Sequence, residues 1–161
     1  VDKAVFPGLQ GGPLMHVIAG KAVSFGEALH PNFKVYAAQI LKNAKAMEEV
    51  FRAAGVRMLG GGTSNHRIPA DVYGSRGIVG KQAEEALNRV GITLNKNAIA
   101  DDIRKPMDPS GIRLGTPALT TRGMKEKEMK IIGNLIGDTL LRRKSVSLEV
   151  KKLCRVFTLK Y

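Results

Sequence analysis

Ser110-Gly111-Ile112-Arg113-Leu114-Gly115-Thr116-Pro117-Ala118-Leu119-Thr120-Thr121-Arg122-Gly123 decides how the rest of this chain is read. Its apolar and β-branched content predicts a strand over residues 112–119. One charge interrupts it, Arg113, set among Gly111, Ile112 and Gly115. A guanidinium with so little steric cover can offer a carboxylate two parallel hydrogen bonds. A lone arginine of this kind is more often solvated or ion-paired, so the residues around it decide between the two.

Downstream, residues 124–143 repeat apolar side chains at helical spacing, with Met129, Ile132, Leu135, Ile136, Thr139 and Leu140 on one face. Upstream, residues 95–111 read as a polar loop, Ile92-Thr93-Leu94 as a strand, and residues 81–90 as a short helix with Ala83, Ala86, Leu87 and Val90 on one side. Val56 to Leu59 and His66 to Val72 read as two short strands around a Gly60-Gly61-Gly62 turn. Pro69 has no ladder donor, which restricts the second of them to an edge strand, a bulge or no strand. Two helices precede these strands. The first runs from Pro13 to the His30-Pro31 stop, with Ile18, Ala22, Phe25 and Leu29 in register; the second carries Phe33, Tyr36, Ile40, Ala44, Met47 and Phe51 and ends at Gly55. Residues 1–12, with Pro7, Gly8, Gly11 and Gly12, read as a loop. Such a mixture of helices and short strands predicts an α+β layer, helices packed on one face of a small sheet.

With 161 residues and 43% apolar content, the chain suffices for one globular domain, or for one domain and a detached piece of another. Lys and Arg number 26 against 14 Asp and Glu, a net charge of +12, which suits nucleic acid, an anionic membrane or small phosphates and carboxylates. The one cysteine, Cys154, excludes an internal disulfide and fits a reducing, cytoplasmic setting. Apolar stretches such as residues 131–141 fall short of the roughly 20 residues of a membrane span. The opening Val-Asp-Lys-Ala-Val-Phe-Pro-Gly has neither an initiator methionine nor a signal-peptide pattern and reads as mid-protein sequence.

Other motifs carry less. Gly60-Gly61-Gly62-Thr63 is not followed by Gly-Lys-Ser/Thr, so a turn is a better reading than a phosphate loop. His16, His30 and His66 lack partners at metal-ligand spacing, and no metal site is expected. Cys154 has no nucleophile context.

Three stretches together resemble serine hydroxymethyltransferase, in that family's order and approximate spacing. They are Ala4-Val5-Phe6-Pro7-Gly8-Leu9-Gln10-Gly11-Gly12-Pro13 with His16 beyond it, Thr93-Leu94-Asn95-Lys96-Asn97, and the Ser110 to Gly123 stretch. The resemblance covers residues 1 to about 140. It implies a C-terminal small domain of a fold-type-I pyridoxal-phosphate enzyme, α+β (α/β) in class, over residues 33–161, preceded by a large-domain remnant over residues 1–32. It also implies an activity: serine and glycine interconverted with tetrahydrofolate. By the same resemblance Arg113 holds the amino acid's α-carboxylate and Arg122 has a supporting electrostatic role. Gly11 and Gly12 approach the cofactor phosphate of the opposite subunit, where bare backbone N–H groups suit an anion. Asn97, both donor and acceptor, touches the folate ring. Lys96 corresponds to a residue that does not carry the cofactor.

The family's cofactor lysine lies ahead of Val1, so no catalytic residue is expected within the chain, and pyridoxal phosphate is not expected to bind it covalently. Local departures are Arg67 and Pro69 in a segment that is normally an apolar strand, Lys105-Pro106-Met107-Asp108-Pro109 in a loop that normally faces folate, and the basic tail after about residue 141. Two rival readings are a complementing half that joins a separately encoded N-terminal piece, and a basic polyanion-binding module. Self-association is expected from the apolar stripe Val17, Ile18, Phe25 and Leu29; neither a specific nucleic acid nor a membrane is expected as partner.

Overall fold

A computed structural model describes residues 1–158. The chain forms two compact units, residues 1–35 and a larger one from Tyr36 onward. In the first, an irregular π-type turn at Ala4–Leu9 replaces the expected plain loop, although Phe6 within it is extended (φ −134°, ψ 126°). Helix α1, Met15–Leu29, begins two residues after Pro13 and stops where His30 turns extended. Residues 1–35 are all exposed.

Helix α2, Pro31–Ala53, starts on the proline, whose fixed φ suits a first turn. From Tyr36 on it buries Asn43, Ala44, Ala46, Met47, Glu48 and Phe51, and Gly55 (φ 68°) ends it as expected. The remaining elements are β1 (Arg57–Met58), β2 (Arg67–Asp71), α3 (Val72–Arg76), α4 (Gly80–Arg89), β3 (Asn95–Asn97), β4 (Gly111–Gly115), α5 (Pro117–Thr121), α6 (Glu126–Leu141) and α7 (Ser147–Val156). The sheet is antiparallel throughout, in the order β1-β2-β4-β3. The fold is α+β: the helices cover one sheet face, and Met47, Phe51, Ile68, Ala70, Leu87, Ile112, Leu114, Met129 and Ile136 share one core with it.

Three strand expectations need correction. Strand β2 lies inside the sheet, between β1 and β4, despite Pro69. The proline is tolerated because β1 pairs only as far as Met58↔Ala70, so the ladder on that side has ended before Pro69 would be asked for an N–H. Strand β3 falls on Asn95–Asn97 rather than on residues 92–94, because backbone pairing to Gly111–Arg113 outweighs the weak strand propensity of Asn-Lys-Asn. Strand β4 stops at Gly115, four residues early, since Pro117 opens α5 at its first turn.

The three-glycine turn has positive φ at Gly60, Gly61 and Gly62 (61°, 74° and 133°) and closes on an acidic residue. Glu48 Oε2 accepts from the Thr63 amide at 2.9 Å and from Lys45 at 3.1 Å, while Oε1 accepts from Arg52 Nε at 2.8 Å. A side chain on Gly62 would meet Glu48 Oε1 at 2.4 Å. A carboxylate in that position repels phosphate, which agrees with the reading of this run as a turn. Burial of Glu48 works to raise its pKa, but the Thr63 amide, Arg52 and Lys45 outweigh it and bring the carboxyl down to about 2.

Glu48→Gln is expected to destabilise the chain by about 1–3 kcal/mol at neutral pH, through loss of charge-assisted hydrogen bonds. A carboxyl whose pKa is depressed on folding stabilises above its unfolded value, and that contribution fades as pH falls toward the folded one. The gap between wild type and variant in urea denaturation should therefore shrink between pH 4.5 and about 2. A gap constant over that range would show that the carboxylate charge is not what holds the turn.

Candidate functional site

Strand alternation decides where Arg113 points. Ile112 and Leu114 are buried on the helix-covered face, opposite Ala70 and Ile68 of β2, so Arg113 stands on the other face, exposed. That face also carries Arg57 of β1, Arg67, Pro69 and Asp71 of β2, and Asn95 and Asn97 of β3. Around Arg113 it is mostly polar, with Pro69 beside the arginine and Ile99 seated over Gly111, whereas Met58, Ile68, Ala70, Ile112 and Leu114 line the buried side.

Asn95 is directly opposite Arg113 and Asn97 is opposite Gly111, which sets Asn97 on the diagonal from Arg113 on one face. The structure thus brings together two of the sequence-predicted site residues. Arg113 makes no ion pair with a described residue. The Asn97 amide nitrogen donates to the Ala98 carbonyl at 2.6 Å, leaving its carbonyl oxygen to accept. Gly111 is needed for close approach: a side chain there would meet Ile99 at 2.7 Å and the Asn97 carbonyl at 2.8 Å. Lys96 alternates to the opposite face. Its ammonium lies 2.9 Å from Glu84 Oε2 and its amide donates to Oε1 at 3.1 Å; these contacts, the side-chain one first, lower the pKa of Glu84.

The loop between β3 and β4 is built around Asp102, which sequence reading did not single out. It accepts from the Ser110 hydroxyl at 2.6 Å, from the Ser110 amide at 3.0 Å, and from the amides of Ile99 and Arg104 at 3.2 and 3.0 Å. The Ser110 hydroxyl above all holds its carboxyl well below the usual range. Arg104 pairs with Asp108 and lies over the Tyr73 ring at 4.8 Å. The loop is therefore internally tied on the very strands that hold Asn97 and Arg113.

Arg122 is elsewhere. Its Nε donates to the Phe157 carbonyl at 2.8 Å and its Nη2 to the Cys154 carbonyl at 3.0 Å, so it closes the C-terminus of α7. It also borders an apolar cavity of about 290 Å³ lined by Leu114, Leu119, Ile136, Leu153 and Cys154 among others. Gly11 and Gly12 belong to the first unit, and a side chain added at either would meet nothing within 4 Å. Among the described residues, no group of three or more His, Cys, Asp or Glu side chains converges, and no helix is long and apolar enough to cross a membrane.

The family model for serine hydroxymethyltransferase matches residues 1–136. The chain belongs to the serine hydroxymethyltransferase family. Among similar proteins, serine hydroxymethyltransferase of Leptospira biflexa is 56% identical over 151 residues, which is 94% of this chain and 36% of the relative. That of Myxococcus xanthus is 56% identical over 140 residues, 87% and 33% respectively. That of Francisella tularensis subsp. tularensis is 51% identical over 158 residues, 98% and 38%. The chain spans about a third of the length of these relatives. A match of 158 residues reaches past Leu141 wherever it begins, so the basic segment lies within the likeness. The fold agrees: α7 buries Val150, and Val146 packs with Val90 and Leu135.

Arg122→Ala is expected to cost about 1 kcal/mol, the worth of its helix-end hydrogen bonds. The amides of residues 150–156 should exchange faster with deuterium while those of β4 stay protected. Unchanged exchange in α7 would exclude the capping role.

Proposed function

We propose that the chain forms the C-terminal small domain of a fold-type-I serine hydroxymethyltransferase and supplies one wall of its site. The observation that carries this reading is the unpaired Arg113, held outward on an open polar sheet face with Asn97 on the same face. In this reading the Arg113 guanidinium takes the α-carboxylate of serine or glycine through two parallel hydrogen bonds. The Asn97 carbonyl oxygen is free to accept from the pyrimidine edge of tetrahydrofolate.

Gly11 and Gly12 fit a phosphate chemically, as adjacent open glycines whose amides can turn to an anion without steric cost. They would hold the phosphate of pyridoxal phosphate, which when bound withdraws electrons from the amino acid's Cα. Lys96 does not serve it covalently, being bonded to Glu84. No lysine among residues 1–161 matches the cofactor lysine that the resemblance implies, so in this reading these residues by themselves supply a wall of the site and not its covalent step. The residues that carry that step would come from the same polypeptide or from a separate complementing piece. A cytoplasmic location fits the single Cys154 and the family chemistry. The rival reading as a basic polyanion module has less support, because the tail contributes Val146, Val150 and Leu153 to the apolar clusters rather than standing free.

Incubated with pyridoxal phosphate, the chain should give no cofactor absorbance band that borohydride abolishes with label on one lysine, and should not convert serine to glycine. A stoichiometric label on a single lysine would overturn the reading. Self-association is also expected, because Val17, Ile18, Phe25 and Leu29 of α1 are all exposed. Sedimentation should show dimers or larger species at micromolar concentration; monomer alone, with α1 helical by circular dichroism, would contradict it.

A further inference from the structure

Of the three arginines on the open sheet face, only Arg57 is neutralised: its Nε and Nη2 lie 3.0 and 2.7 Å from Asp71 Oδ2. Arg67 and Arg113 are exposed, and neither forms an ion pair among the described residues. The register makes them diagonal neighbours, since Pro69 is opposite Arg113 and Gly115 is opposite Arg67. Diagonal positions on adjoining strands are about 7–8 Å apart, well within the reach of two arginine side chains toward one ligand. Pro69 and Gly115 place little bulk between them. Asp71, the nearest acid on this face, is already shared by Arg57 and by the Gly74 amide at 2.7 Å. Two adjacent cations without a counterion repel one another, and a dianion removes that repulsion.

We infer that Arg67 is a second anion-binding residue of this site, which therefore takes a ligand with two acidic groups a few ångströms apart, one on Arg113 and one on Arg67. The inference rests on the reading of Arg113 as a carboxylate anchor. A carboxylate bound by Arg113 fixes the ligand's position, and a second acidic group two or three bonds away then falls to Arg67.

The test is titration of the isotope-labelled 161-residue chain at low ionic strength, reading amide shifts on β2 and β4. The probes are acetate and succinate, against wild type, Arg67→Ala, Arg113→Ala and, as a control for net charge, Lys151→Ala. Wild type should prefer succinate by about tenfold, the worth of one further charge-assisted hydrogen-bonded pair. Arg67→Ala should reduce that preference to near that of a single anchor while acetate affinity is kept, and Lys151→Ala should leave it intact. A preference that survives Arg67→Ala, or that falls equally in Lys151→Ala, overturns the inference and leaves Arg113 untouched. Acetate affinity unchanged in Arg113→Ala would instead sink the carboxylate-anchor reading itself. Dispersed spectra of the variants establish that they are folded.

Discussion

Ile112 and Leu114 can be buried only if Arg113 turns to the opposite face. Burial of each apolar side chain contributes about 1.5–3 kcal/mol, whereas a register slip by one residue would expose both and push a guanidinium into the core at a cost of several kcal/mol. Strand β4 lies between β2 and β3, so this one alternation also fixes the faces of Arg67, Asn95 and Asn97. Gly80 and Gly111 allow the close seating of α4 on the start of the strand. The Gly80 amide donates to the Pro109 carbonyl at 2.8 Å, and a side chain on Gly80 would meet the Gly111 carbonyl at 2.3 Å.

Behind the sheet, polar side chains settle the orientation of the helices. Asn43 is fully buried in α2, and its amide nitrogen donates to Thr120 Oγ1 at 2.8 Å and to the Met124 carbonyl at 2.9 Å. Thr116 donates to the Ile40 carbonyl at 3.0 Å. An unsatisfied buried amide costs about 1–3 kcal/mol, so α5 has one favourable position against α2. Among the described residues no buried side-chain nitrogen or oxygen lacks a partner. Arg113 leads directly into α5 through Gly115 and Thr116, and the same network therefore steadies the end of its strand.

The helices were legible because their apolar residues recur at helical spacing over many turns, as at Phe33 to Phe51 and Met129 to Leu140. Strand β3 was not, since Asn95, Lys96 and Asn97 look like loop and become strand only through pairing with a segment 14 or more residues away. Pro69 misled for a related reason: where β1 ends is a property of the sheet, invisible in the residues around the proline. Helix α7 rests on few apolar contacts, Val146, Val150 and Leu153 among them, too few to stand out in a basic stretch. Arg113 and Asn97 were marked by the motifs around them. Asp102, Glu84 and Asn43 were not, because each acts through partners that only the fold brings near.

The exposed guanidinium of β4 is the proposed carboxylate anchor of a chain that spans about a third of the length of the relatives it matches. The direct measurement replaces the matching C-terminal third of the Leptospira biflexa enzyme with this chain and compares serine cleavage by the chimera and by its Arg113→Ala form. An active chimera whose KM for serine rises steeply in Arg113→Ala is the predicted result. An active chimera with the same KM in both forms would contradict it.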